Sequence, residues 1–255
     1  MSKFLMALRN EFVAGKTLLD WAMLVIGLVL QIVAIVVGYM AGTPDPPALI
    51  VSGIAGVVSV VLCSQGKISF YIFGYIQLIT YVLFFSVPNH LHGETVENGM
   101  YFVTMLYGVY MWFKHYGQNV ETKSTEIWAK KLTQRGNAIA ALVFGFGTFF
   151  YYLFLKNVPM FGVLDSDPFV DSITSVPAYI AQVLMVLGYR EQWVYWFILD
   201  VGSVVLAIRA GSWVMTAQFV FWTVNCVYGY WMWTKSNKTI HVRHTENIQE
   251  VNHAN

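Results

Sequence analysis

The chain has 255 residues, of which 57% are hydrophobic, 16% aromatic and only 11% charged, against roughly 25% charged in an ordinary soluble domain. Its net charge of +1 and the lack of any basic tract exclude a general affinity for nucleic-acid backbones. Composition points to an all-α membrane protein in which the placing of the few charges carries the information.

The segment 1–18 sets Phe4, Leu5, Leu8 and Phe12 at helical spacing beside Lys3, Arg9 and Lys16, the pattern of a short helix lying on a membrane surface. After it, apolar runs separated by polar or proline-containing breaks predict eight transmembrane helices, at 19–40, 48–63, 68–87, 99–115, 137–155, 171–189, 193–210 and 213–233. The first has the length of a full span with no small-residue cleavage site after it, so it reads as a retained helix. Thr43-Pro44-Asp45-Pro46-Pro47 and Val87-Pro88-Asn89-His90 separate spans because proline cannot continue a helix. A polar cytoplasmic tail follows at 234–255. Under this topology 13 of the 15 Lys and Arg residues fall on the side holding both termini, which predicts that both are cytoplasmic. Cys63 and Cys226 sit in apolar runs and read as reduced core thiols.

A long-period repeat runs through the chain. Tyr107-Gly108-Val109-Tyr110-Met111-Trp112-Phe113-Lys114 recurs 121 residues later as Tyr228-Gly229-Tyr230-Trp231-Met232-Trp233-Thr234-Lys235. Upstream, Lys67, Phe70, Phe73 and Gln77 match Arg190, Trp193, Trp196 and Asp200 at an offset of 123. The second, third and fourth spans thus correspond to the sixth, seventh and eighth. Corresponding spans are an even number apart, so the copies are parallel and related by an axis along the membrane normal. The expected organisation is an extra first helix at 19–40, a three-helix bundle at 48–115, a linker helix at 137–155 and a second three-helix bundle at 171–233. Substrate sites of such duplicated carriers lie between the copies.

Asp200 is, helix ends apart, the lone acid within a predicted span, and a carboxylate there costs at least about 2.5 kcal/mol to insert. It must be paired, protonated or facing a polar cavity, and could simply hydrogen-bond a neighbouring helix. Trp193, Trp196 and Asp200 share one helix face and rise roughly 10 Å from the cytoplasmic end, an aromatic wall leading to an acid. Such a wall suits a flat cationic ring, although Trp193 also fits an interfacial aromatic belt. Trp222, Asn225 and Tyr228 recur at spacings of three, and the repeat partner of Asn225 is Thr104, flanked by Tyr101 and Tyr107. Gln77 and Asn225 can read hydroxyls or a carboxamide, or else bridge helices. The candidate substrate-binding set is therefore Trp193, Trp196, Asp200, Asn225, Tyr228, Gln77, Thr104 and Phe73.

Other features read as architecture. Trp112 and Trp233 suit interfacial anchors, and Gly108 and Gly229 suit close helix packing. His90, His92 and Glu94 are expected in a short solvated loop rather than at a metal. His241 and His244 belong to the tail, and Asn237-Lys238-Thr239 is a glycosylation sequon on the cytoplasmic side. With no phosphate-binding glycine loop, Walker-type lysine or nucleophile elbow, the chain is not expected to be an enzyme or ATP-driven, and no cofactor or metal is implied.

Trp193-Val194-Tyr195-Trp196 followed by Asp200, with Asn225 and Tyr228-Gly229 downstream, resembles the PnuC vitamin transporters over about residues 19 to 235. That resemblance implies a SWEET-like fold with an extra first helix, a homotrimer in the bacterial inner membrane, and uptake of nicotinamide riboside by facilitated diffusion. Related branches carry thiamine or riboflavin. A pyridinium cation, a carboxamide and ribose hydroxyls suit indoles, an amide side chain and polar residues, and the cationic thiazolium of thiamine fits almost as well. A receptor that binds without translocating and an intramembrane enzyme are the competing classes. Short loops count against the first, and the lack of a nucleophile and base pair counts against the second. A lone intramembrane acid argues weakly against proton coupling.

Overall fold

The computed structural model describes residues 16–122, 129–160 and 162–253, with side chains described for 16–111, 129–160 and 162–236. The surface helix expected before residue 16, the Trp112 and Lys114 anchors, the Asn237 sequon, and His241 and His244 lie outside the described residues or side chains.

The described residues form eight α-helices in turn: α1 Leu18–Met40, α2 Pro47–Ser64, α3 Phe70–Tyr81, α4 His92–Thr122, α5 Gln134–Asn157, α6 Pro168–Val186, α7 Gln192–Arg209 and α8 Trp213–His253. Among the described residues every regular element is helical, and α3 continues through a wider turn at Val82–Ser86. Five helices, α1, α2, α5, α6 and α7, are long and apolar enough to cross a membrane, and Phe70–Ser86 is a shorter apolar segment. The sequences of α4 and α8 hold more Tyr, Trp and amide residues, which hydropathy scales score as polar.

Local chemistry sets the helix starts. Thr17 and Asp20 form a capping box at the head of α1, which satisfies backbone donors that have no partner within the helix. Proline opens α2 and α6, where its fixed φ is already helical and its missing N–H costs nothing. The head of α4 is capped from a distance. Asp165 Oδ2 accepts from His92 N at 2.9 Å, and Asp171 Oδ2 accepts from Gly93 N at 2.7 Å.

That remote capping corrects the expectation for His90, His92 and Glu94. Only His90 is exposed; His92 and Glu94 are 4% and 3% exposed, because α4 begins seven residues earlier than its apolar run. The polar residues that read as a solvated loop are the buried first turn of a helix.

The turns α2–α3 and α6–α7 have the same construction. Gly66 (φ 69°) donates to Cys63 O, and Lys67 N donates to Leu62 O at 2.9 Å. Gly188 (φ 76°) donates to Met185 O, and Tyr189 N donates to Leu184 O at 2.8 Å. Glycine is required at both because the chain turns through positive φ. Gly66 and Gly188 are 122 residues apart, so the turns set a register one residue from the sequence match of 123. In this register Tyr71 corresponds to Trp193 and Leu78 to Asp200. The glycines of the repeated motif agree: Gly108 faces Tyr71, and Gly229 faces Trp193, where an added Cβ would lie 2.5 Å from Cε2.

Between the two sets of helices, α2 packs on α8 and α4 packs on α6. Within them α2 packs on α3, α6 on α7 and α7 on α8. α1 lies against both α2 and α8, whereas α5 lies against α6.

Candidate substrate site

A cavity of about 900 Å³, its open mouth included, lies among α2, α3, α4, α6, α7 and α8. Its wall is mainly apolar, with a few convergent polar groups, as expected of a small-molecule site.

α7 delivers the aromatic face. Trp193 is 2% exposed and packs edge-on against Trp233 at 6.0 Å, while Trp196 meets Tyr101 of α4 edge-on at 5.8 Å. Gln192 Oε1 accepts from Trp196 Nε1 at 3.3 Å, which fixes that indole. Both indoles line the cavity. Trp233 is fully buried against Trp193, so it is a packing partner and not the interfacial anchor expected from its place near a span end.

One turn beyond, Asp200 is 2% exposed and also lines the cavity. Its Oδ2 accepts from Cys226 Sγ at 3.2 Å, and its Oδ1 has no protein partner. Asp200 is not alone. Glu94 and Glu97 of α4 line the same cavity and are 3% and 4% exposed. Glu94 accepts from Tyr81 of α3 through Oε2 and from Ser203 of α7 through Oε1, so one carboxylate ties three helices. Glu97 lies against Tyr101 and Ser175. No Lys, Arg or His stands among the described residues lining the cavity.

Asp200 is thus one of three carboxylates on the cavity wall, which removes the argument against ion coupling that rested on a single buried acid. Sequence reasoning passed over Glu94 and Glu97 because they precede the apolar run of their helix. Their spacing of three, with Tyr101 four residues further on, was the available signal for one helical face.

The remaining candidates divide. Gln77 lines the cavity, half-buried, while its backbone carbonyl accepts from Ser52 Oγ at 3.2 Å. Phe73 is half-buried against the cluster around Phe70 and Trp193 but is not among the cavity-lining residues. Asn225 is fully buried behind the wall, with Nδ2 donating to Val60 O at 3.3 Å and Oδ1 without a protein partner. Thr104 also lies behind the wall, where its hydroxyl accepts from Gln182 Nε2 at 2.9 Å. Tyr228 points away from the cavity, and its hydroxyl donates to Asp20 at the head of α1. Both thiols are free and buried, in agreement with the sequence reading.

A helical membrane protein whose central cavity is walled by both halves of the chain and lined by indoles and carboxylates is built as a small-molecule transporter. The chain belongs to the family described as Nicotinamide mononucleotide transporter, whose model matches residues 47–235. It is 34% identical over 228 residues to the Nicotinamide riboside transporter PnuC of Haemophilus influenzae, covering 89% of this chain and 95% of that protein. It is 30% identical over 236 residues to the protein of the same name from Neisseria mucosa, covering 89% of this chain and 85% of that one. A solved structure, the crystal structure of the Vitamin B3 transporter PnuC, superposes with a TM-score of 0.76 at 31% identity, covering 92% of this chain and 98% of its own.

Proposed function

We propose that this protein carries nicotinamide riboside across the membrane through the cavity between its two halves. The observation that carries the reading is the cavity's charge: three carboxylates, three indoles and no cationic side chain among the described lining residues. A pyridinium cation placed between Trp193 and Trp196 gains cation–π attraction and neutralises part of the negative charge. Gln77 supplies a donor and an acceptor for the carboxamide or ribose, and Asp200 offers its free oxygen to either the cation or a hydroxyl. Asn225 and Thr104 act from behind the wall by fixing the helices that bear it.

The same charge decides between the riboside and its mononucleotide, after which the family is described. A phosphate dianion would face Glu94, Glu97 and Asp200 with no basic partner, and like charges in a site of low dielectric repel strongly. Uptake into proteoliposomes checks the assignment. Radiolabelled riboside should enter, unlabelled riboside should compete, and the mononucleotide should compete poorly. Preferential uptake of the mononucleotide, thiamine or riboflavin would overturn it.

The finer reading is a parallel duplication of two three-helix bundles, α2 to α4 and α6 to α8, with α5 as linker and α1 as an extra helix in a SWEET-like arrangement. The matching turns at Gly66 and Gly188 and the reciprocal packing of α2 on α8 and α4 on α6 support it. Eight spans then place both termini in the cytoplasm of a bacterial inner membrane, in a homotrimer. Transport is by facilitated diffusion, the bundles rocking about the cavity. Uptake without any ion gradient is the expected result, and strict dependence on a proton gradient would contradict it.

A further inference from the structure

Four sulfur side chains belong to one buried cluster beside the cavity. Cys63 of α2, Met105 of α4, Met185 of α6 and Cys226 of α8 all line it, and all belong to one buried cluster with Phe70 and Trp193. Cys63 Sγ lies 4.0 Å from Met185 Sδ, and Cys226 donates to Asp200 Oδ2 at 3.2 Å. Cys63 and Cys226 are themselves within electrostatic range of each other.

Their placing follows the duplication. Cys63 and Met185 are 122 residues apart, the register of the turns that follow them, and Met105 and Cys226 are 121 apart, the register of the Tyr-Gly motif. Each matched pair holds one thiol and one thioether. The chain contains 2 cysteines in all, and both are here.

We propose that this cluster is a seat for a soft monovalent cation, Cu⁺ or Ag⁺, held by Cys63, Cys226, Met185 and Met105. Thiolate and thioether sulfur select such ions over harder ones. Binding breaks one S–H bond and forms a sulfur–metal bond. The proton leaves to Asp200 from Cys226, or to cavity water from Cys63, and no electron is transferred. Zn²⁺ is disfavoured, because no cluster of three His, Cys, Asp or Glu side chains is placed to hold a metal among the described residues. An ion seated here lies beside Trp193 and Asp200 and excludes the organic cation. That consequence rests on the riboside reading; the binding itself does not.

The test uses the purified full chain and Ag⁺ alone, in equilibrium dialysis with metal analysis. The expected result is one Ag⁺ retained per chain, weakened about tenfold or more in Cys63→Ser and in Cys226→Ser, and not displaced by Zn²⁺. Equal retention by the wild type and the Cys63→Ser/Cys226→Ser double variant would overturn the site and leave the sulfurs as packing alone. If the double variant fails to fold, Met105→Leu and Met185→Leu keep the volume and carry the same comparison. In riboside-loaded vesicles equimolar Ag⁺ should stop flux. Unchanged flux with Ag⁺ bound would overturn the blocking claim, whereas a chain that moves no riboside still reports its Ag⁺ by dialysis.

Discussion

Gln182 Nε2 donates to Thr104 Oγ1 across the contact of α6 with α4, and Asn225 Nδ2 donates to Val60 O across the contact of α8 with α2. Val60 and Gln182 are 122 residues apart, and Thr104 and Asn225 are 121 apart. One side-chain amide thus links α6 to α4, and another links α8 to the backbone of α2. Interhelical hydrogen bonds of this kind contribute about 0.6 kcal/mol on average in membranes. Asn225→Leu should therefore lower stability and leave the preference among competing substrates unchanged, read by thermal shift and by competition uptake. A change in rank order would show that its free oxygen touches substrate.

Carboxylate variants test the charge of the cavity. Asp200→Asn keeps the shape and removes the charge, and losing a charge-assisted contact costs about 1.5–3 kcal/mol, roughly 10- to 150-fold in Kd. Titration calorimetry with riboside reads it. The neutral nicotinamide base should lose much less, because it brings no positive charge, and equal losses for both ligands would remove Asp200 from cation recognition.

Glu94 makes a separate prediction, since it joins α3, α4 and α7 through Tyr81 and Ser203. Glu94→Gln can keep both contacts, whereas Glu94→Ala leaves Tyr81 without its acceptor at a cost of about 1–3 kcal/mol. Melting temperatures should order as wild type, Gln, then Ala. A Gln variant as unstable as Ala would mean that the charge, and not the hydrogen-bonded link, holds these helices.

The residues that were legible in the sequence were those whose period matched their surroundings. Helix order and the Trp193, Trp196 and Asp200 face follow from apolar runs and 100° spacing. Glu94 and Glu97 escaped because hydropathy locates a span by its apolar centre, while the head of α4 is buried by capping from Asp165 and Asp171, which no local signal encodes. The sequence match pairs aromatic residues at an offset of 123 in helices rich in them, whereas the glycine turns, at positive φ, stand 122 residues apart. Tyr228 was assigned to the cavity by helical phase alone, and phase does not say which neighbour a face meets. Here that neighbour is α1, whose Asp20 accepts from the hydroxyl. Tyr228→Phe should accordingly destabilise by about 0.5–1.5 kcal/mol with riboside Kd unchanged, and a weaker Kd would return it to the site.

The contact of α2 with α8 and that of α4 with α6 differ in what covers them. α1 runs along the contact of α2 with α8 and is fastened from end to end. Asp20 holds Tyr228, Gln31 Nε2 reaches Val214 O at 3.5 Å, and Thr43 accepts from Trp213 Nε1 at 3.2 Å. Asp45, between α1 and α2, accepts from Ser212 Oγ at 2.6 Å and from Val214 N at 2.9 Å. On the α2 side a Cβ added to Gly27 would lie 2.6 Å from Val57 Cγ1, so the backbones are already close. Among the described residues the contact of α4 with α6 has no such strap, since α5 packs on α6 and makes no comparable contact with α4. Rocking should hinge at the strapped contact and open at the other. In a chain with Cys63 and Cys226 replaced by Ser, oxidising a Gln31→Cys/Val214→Cys pair should leave riboside flux intact, while a Thr104→Cys/Gln182→Cys pair should stop it until reductant is added. Equal inhibition by both pairs, or inhibition by the first alone, would place the moving contact elsewhere.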